Sequence, residues 1–147
     1  MQTLSAEEVS RFLDMAKDTD YYVYFATLLY TGLRRGELLA LRWRNLDLGS
    51  GKLWVVETAY RLGSGEYGIK EPKTPQSRRT VILPHSLVEL LKVYRFDQEL
   101  LRIQLGISLK ADDFVFIRPD GSPINNIGIT LGIYIAMSCQ GYRKRLR

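Results

Sequence analysis

Residues 30–48 read Y-T-G-L-R-R-G-E-L-L-A-L-R-W-R-N-L-D-L, and they limit the fold more than any other stretch of the chain. An aromatic-rich helical segment, residues 21–29, leads into them. Gly32 suits a tight helix exit, because a residue without Cβ enters the left-handed conformation cheaply. A second short helix is predicted to start near Arg34, with Leu38 and Leu41 on one face and Leu39 beside them. Arg34 then sits at a helix-to-helix junction. There the free N–H groups of a helix start and a guanidinium fork can converge on one phosphate.

The run T-G-L-R-R-G-E-L-L-A-L-R-W resembles the first active-site box of the tyrosine recombinases, the phage integrase family. Alone, T-G-L-R would read more readily as surface arginines capping a helical hairpin. The spaced Glu and the L-x-L-x-W run extend the match. The resemblance implies that Arg34 grips the scissile phosphate of DNA and that Glu37 is structural. A second motif lies downstream, K-E-P-K-T-P-Q-S-R-R-T-V-I-L-P over residues 70–84. It resembles the family's hairpin P-K-T-x-x-S-x-R-x-V/I-x-L-P and implies that Lys73 is the general acid for the leaving 5′ oxygen. Without that context Lys73 would be an ordinary turn lysine.

Charge is distributed in keeping with this. Lysine and arginine exceed aspartate and glutamate by 21 to 16, for a net charge of +5 and a pI near 9.4. Residues 1–20 are net acidic, whereas cations gather at Arg34, Arg35, Arg42 and Arg44, at Lys70, Lys73, Arg78 and Arg79, and in the tail at 143–147. Any one cluster alone would be a solvated face, but clustering at both motifs is the footprint of a phosphate-facing surface. Arg35, Arg44, Lys70, Arg78 and Arg79 are therefore candidate DNA-binding residues, with double-stranded DNA the expected partner.

With 147 residues the chain is expected to form a single domain with a hydrophobic core. No apolar run reaches the ~20 residues that cross a bilayer, and the acidic start is not a signal peptide. The single cysteine, Cys139, excludes an internal disulfide, and one histidine leaves no cluster for zinc. No metal and no cofactor are expected. A reducing cytoplasm fits, and the resemblance implies a bacterial or phage-encoded protein on the nucleoid.

In chain order, S-A-E-E at residues 5–8 is a capping box, followed by Val9, Phe12, Leu13 and Ala16 at helical spacing over 6–17. Asp18 or Asp20 can cap a second helix over about 20–31. Its Tyr21, Tyr22, Tyr24 and Phe25 could stack on bases, but aromatics at helical spacing argue for core. Residues 45–51 are turn-rich, a first strand runs through Leu53, Val55 and Glu57-Thr58, glycines interrupt the next stretch, and R-R-T-V-I-L at 78–83 closes a sheet before Pro84. A long helix follows over 86–105. His85 has Val88 rather than Arg three residues on, so it is a helix-entry residue and not the family's His-x-x-Arg box. Residues 112–123 resemble the family's link D-x-x-V-F…G-x-P. Beyond it, 126–140 alternates like a strand, although the resemblance implies a helix.

The predicted class is α+β, mainly α, with helices around a small three-stranded antiparallel sheet. The resemblance covers residues 4–123 and implies that 1–147 is a single partial catalytic domain, its front part. None of the nine tyrosines follows a His-x-x-Arg box, so the chain reads as a piece cut short by cloning or by gene decay. The parent would exchange DNA strands through a 3′-phosphotyrosine, as a multimer on DNA, while this chain alone would be inactive. The alternatives are a non-catalytic DNA-binding remnant and a type IB topoisomerase-like domain. The missing helices would leave Leu28, Leu29, Leu38 and Leu41 short of neighbours, with self-association the consequence and 127–135 the segment placed to bring it about.

Overall fold

Ser5 opens α1 (Ala6–Ala16) with the expected reciprocal cap. Its hydroxyl accepts from the Glu8 N–H at 3.2 Å, and the Glu8 carboxylate accepts from the Ser5 N–H at 2.8 Å. The structure is a computed structural model and describes residues 5–118 and 124. The apolar side of α1 packs on α2 (Tyr22–Thr31), where Phe12 meets Phe25 edge-on at 5.1 Å. Neither Asp18 nor Asp20 caps α2. Tyr21 precedes it without a side-chain cap, and the Thr19 hydroxyl closes the preceding turn on the Ala16 carbonyl. Tyr24 and Phe25 are buried, and Tyr24 stands edge-on to Phe116 at 5.4 Å. These rings belong to the core, as their spacing indicated.

Gly32 ends α2 in the left-handed region, φ 64°, donating its N–H to the Leu28 carbonyl. After it the chain restarts as α3 (Arg35–Leu39), one short turn whose Leu38 is fully buried. Leu41 is buried too, at 3% exposure. The expectation that Leu38 and Leu41 lose their neighbours is thus incorrect. α3 lies against a strand, and residues 111–115 run alongside 41–44, with Val115 donating to the Leu41 carbonyl and Trp43 and Arg44 donating to the carbonyls of Asp113 and Ala111.

The expected three-stranded antiparallel sheet is present, with different membership. β1 (Leu46–Asp47), β2 (Lys52–Val55) and β5 (Arg79–Ile82) form it in the order β1-β2-β5, with Val55 opposite Arg79. β3 (Thr58–Arg61) and β4 (Tyr67–Lys70) form a separate hairpin closed by the turn at Leu62–Glu66. Glu57 therefore does not extend the first strand. Its carboxylate is drawn instead to Arg42, whose Nε donates to it at 2.8 Å. One face of the sheet carries Leu53 and Val55 into the core, and α4 (His85–Gln104) covers the core with Leu87, Leu91 and the buried Gln98. Gln98 donates to the Val115 carbonyl at 2.7 Å, so the buried amide is satisfied and α4 is locked to the 111–116 segment. The 126–140 segment, the 119–123 link and the basic tail at 143–147 lie outside the described residues.

Gly36 sets how close the hairpin comes. A Cβ there would stand 2.6 Å from the Ala59 carbonyl oxygen and 2.7 Å from the Thr58 hydroxyl. Only glycine allows α3 to lie this close to β3.

Candidate nucleic-acid interface

The geometry around Arg34 is set by one buried carboxylate. Arg34 has extended backbone (φ −69°, ψ 148°) just ahead of α3, and its N–H donates to Glu37 Oε2 at 2.8 Å. The same carboxylate takes both terminal nitrogens of Arg79, each at 2.9 Å, in a bidentate pair. Glu37 is 6% exposed. Burial pushes its pKa up, but the hydrogen bonds from Arg79 and from the Arg34 N–H, with the charge of both guanidinium groups, hold it below the usual carboxylate range. Glu37 thus joins the α2–α3 junction to the first residue of β5.

The Arg34 side chain is left exposed, with no hydrogen bond or ion pair to another described residue. Arg35 is exposed beside it at the start of α3. Lys73 is exposed in the loop between β4 and the single 3-10 turn Pro75–Ser77, also without a partner among the described residues. Both strands flanking this loop are anchored near Arg34. β5 is held through Arg79 and Glu37, and β4 through its pairing with β3, which rests on Gly36. The Arg34 junction and the Lys73 loop therefore belong to one braced unit.

The other candidate cations are more engaged. Arg79, expected to face DNA, spends both terminal nitrogens on Glu37 and serves the brace. Arg44 donates to Asp112 at 2.6 Å and lies 3.7 Å from Glu57. Arg78 pairs with Glu71, and the Lys70 ammonium stands 4.6 Å over the Tyr60 ring. Tyr60 in turn lies across Gly68, its cross-strand neighbour, where a Cβ would meet the ring. The pairs of Arg44 and Arg78 are exposed, so a phosphate can compete for them at little cost.

Three features escaped the sequence reading. Arg42 is the hub of a bracket, with Nε on Glu57, Nη1 on the Asp112 carbonyl at 2.8 Å and its guanidinium 4.4 Å over the Phe114 ring. Gly36 and Glu57 are the others, and only the glycine left a signal, its place inside a helix start. Among the described residues no group of three His, Cys, Asp or Glu is placed to hold a metal ion. No helix among them is long and apolar enough to cross a membrane.

A sequence model of the phage integrase family matches residues 2–143. The chain belongs to that family. Among curated proteins it is 32% identical over 114 residues to a protein named "Tyrosine recombinase XerC-like" from Caldanaerobacter subterraneus subsp. tengcongensis, covering 72% of this chain and 29% of that protein. It is 30% identical over 112 residues to the ICEBs1 integrase of Bacillus subtilis, covering 75% of this chain and 30% of the relative. The chain therefore spans under a third of the length of these relatives. Among solved structures, the Tn1549 transposon integrase in complex with circular intermediate DNA superposes with a TM-score of 0.76 at 20% identity, over 99% of this chain and 47% of that one. The XerA recombinase matches with a TM-score of 0.65 at 26% identity, over 98% of this chain and 45% of that one. The fold is that of the integrase catalytic domain, as the first motif implied.

Proposed function

We propose that residues 1–147 form the front part of the catalytic domain of a site-specific recombinase that cuts and rejoins double-stranded DNA through a 3′-phosphotyrosine. The observation that carries this reading is the exposed, unpaired Arg34 guanidinium, fixed at its backbone by a carboxylate that also anchors the strand after the Lys73 loop. In the parent reaction a tyrosine oxygen attacks the scissile phosphorus and the P–O5′ bond breaks. Arg34 neutralises the equatorial oxygens, and Lys73 gives its proton to the departing 5′ oxygen. Arg35, Lys70, Arg44 and Arg78 add phosphate contacts along the duplex, where several protomers assemble on bacterial or phage DNA in the cytoplasm. No metal is required in this scheme.

By itself the 147-residue chain is expected to bind duplex DNA weakly and with little sequence preference. Log K should fall by ~0.9 per phosphate neutralised for each tenfold rise in salt. Titrations at two ionic strengths check this, and a salt-independent affinity would count against the phosphate-facing surface. On a nicked suicide substrate the same chain should form no gel-stable adduct, because no tyrosine follows a His-x-x-Arg box. An adduct would show that a tyrosine within residues 1–147 is nucleophilic.

The role given to Lys73 has its own test, in a family-length recombinase carrying this segment. Lys73→Ala should slow cleavage of ordinary DNA by about 100-fold or more, the scale of a lost general acid. It should slow cleavage far less when the 5′ oxygen is replaced by a sulfur leaving group that needs no proton. Equal slowing of both substrates would remove Lys73 from the proton-transfer step.

A further inference from the structure

The loop that carries Lys73 is strung between two sheets. β4 ends at Lys70, which pairs with Thr58, and β5 begins at Arg79, which pairs with Val55. β4 and β5 are neighbours in neither sheet, so no strand ladder closes the neck of the loop. A side-chain pair closes it instead. Glu71, the first residue after β4, accepts from Nη2 of Arg78, the last residue before β5. Within the loop the Thr74 and Ser77 hydroxyls bond at 2.8 Å, and the N–H groups of Ser77 and Arg78 donate to the Thr74 and Pro75 carbonyls. The loop thus has a closed neck and a tied second half, and Lys73 stands between them with no partner among the described residues.

We propose that the Glu71–Arg78 pair is a clasp that DNA opens: a backbone phosphate takes Arg78 from Glu71, and the freed neck lets the loop carry Lys73 to the scissile phosphate. The clasp rests on the recombinase reading of Lys73 and adds a step to it. Glu71 stands between Lys70 and Lys73, where a free carboxylate repels the DNA backbone, and pairing with Arg78 cancels that charge until DNA arrives. Both side chains are exposed, 75% for Glu71 and 52% for Arg78. A pair in that setting is weak and screened by salt, so it closes the neck without locking it. A phosphate offers the guanidinium two oxygens where Glu71 engages one nitrogen. Arg79, the next residue, differs on each count. Its carboxylate is buried and held by both terminal nitrogens, so β5 stays anchored while the neck beside it opens.

The 147-residue chain and three variants, Glu71→Gln, Arg78→Gln and the double replacement, test this by two measurements. Both positions are exposed, so all four proteins should show the same circular dichroism. Without DNA and at low salt, trypsin cleavage after Lys73 should be about two- to fivefold faster in each single variant, the scale of one exposed pair. The double variant should be no faster, because the same pair is lost in all three. With duplex DNA, Glu71→Gln should lower Kd in either background, since it removes a repelled charge. That gain should be about two- to fivefold larger with Arg78 present than beside Arg78→Gln, because only there must a pair break on binding. An equal or smaller gain with Arg78 present would mean that the pair survives on DNA. Additive effects on trypsin cleavage would mean that it does not close the loop. Either result overturns the clasp and leaves the phosphate-facing surface standing, whereas a salt-independent affinity of the wild-type chain would overturn both.

Discussion

Replacing Arg34 by alanine in a family-length recombinase that carries this segment is expected to cut the rate of DNA cleavage by at least about 1,000-fold, the scale of losing a preorganised charge at a reacting centre. Duplex affinity should change by less than about tenfold, since one phosphate contact among several is removed. The structure gives the reason for this split. The Arg34 backbone is held by Glu37, while its side chain makes no hydrogen bond or ion pair among the described residues. Removing the guanidinium therefore breaks no side-chain hydrogen bond among the described residues and takes its charge, part of which also supports the Glu37 carboxylate. Arg34→Lys should recover little, because an ammonium cannot reproduce a planar fork on two phosphate oxygens. Single-turnover cleavage measured alongside binding separates the two effects. A lysine variant within about tenfold of wild type would show that charge, without bidentate geometry, suffices there.

The position of Arg34 between α2 and α3 was legible from the sequence because everything that places it is local. The left-handed Gly32 that ends α2, the extended residue before α3 and the Glu three positions on all lie within one short run. The contacts of the other cations were not, because they depend on carboxylates distant in sequence. In sequence Arg79 is one more member of a basic cluster; in the fold it belongs to Glu37 across the start of β5. Arg44 looks equally free until residues 111–115 fold back along 41–44 and bring Asp112 to it. The strand error has the same origin. Glu57 follows two good β-formers and reads as their continuation, yet its ion pair with Arg42 ends the first strand and turns the chain into a separate hairpin. β1, two residues long, is too short to show any alternation.

The misplaced apolar surface follows the same logic. Leu38 and Leu41 sit on a helix of five residues, and nothing in their spacing says what covers them. The answer comes from β3 and from the 111–115 segment, both far along the chain. The exposed apolar residues gather instead on α4, a helix whose two apolar stripes blur into one hydrophobic pattern when read in sequence. Each stripe has helical periodicity, so only the fold shows which one is inside.

Glu37 is where the site and the stability of the fold meet, and its replacement should have the largest effect on folding. Glu37→Ala leaves the Arg34 N–H without its acceptor and the Arg79 fork without its carboxylate. Breaking a fully buried pair costs about 3–5 kcal/mol. Arg79 is 37% exposed in its side chain, and solvent offsets part of that loss. A cost of about 2–3 kcal/mol at neutral pH is therefore expected, read as a lower urea midpoint with an unchanged slope. The pH dependence isolates the charge. The folded-state pKa of Glu37 is depressed, so its contribution is fully present above the unfolded value of about 4.3 and is lost as pH falls through the lower folded value. Wild-type stability should decline through this acid window more steeply than that of Glu37→Gln, which cannot titrate. The two curves should converge as the wild-type carboxylate takes up its proton. Parallel curves would mean that Glu37 acts through shape alone, and that the Arg79 fork contributes no net stabilisation.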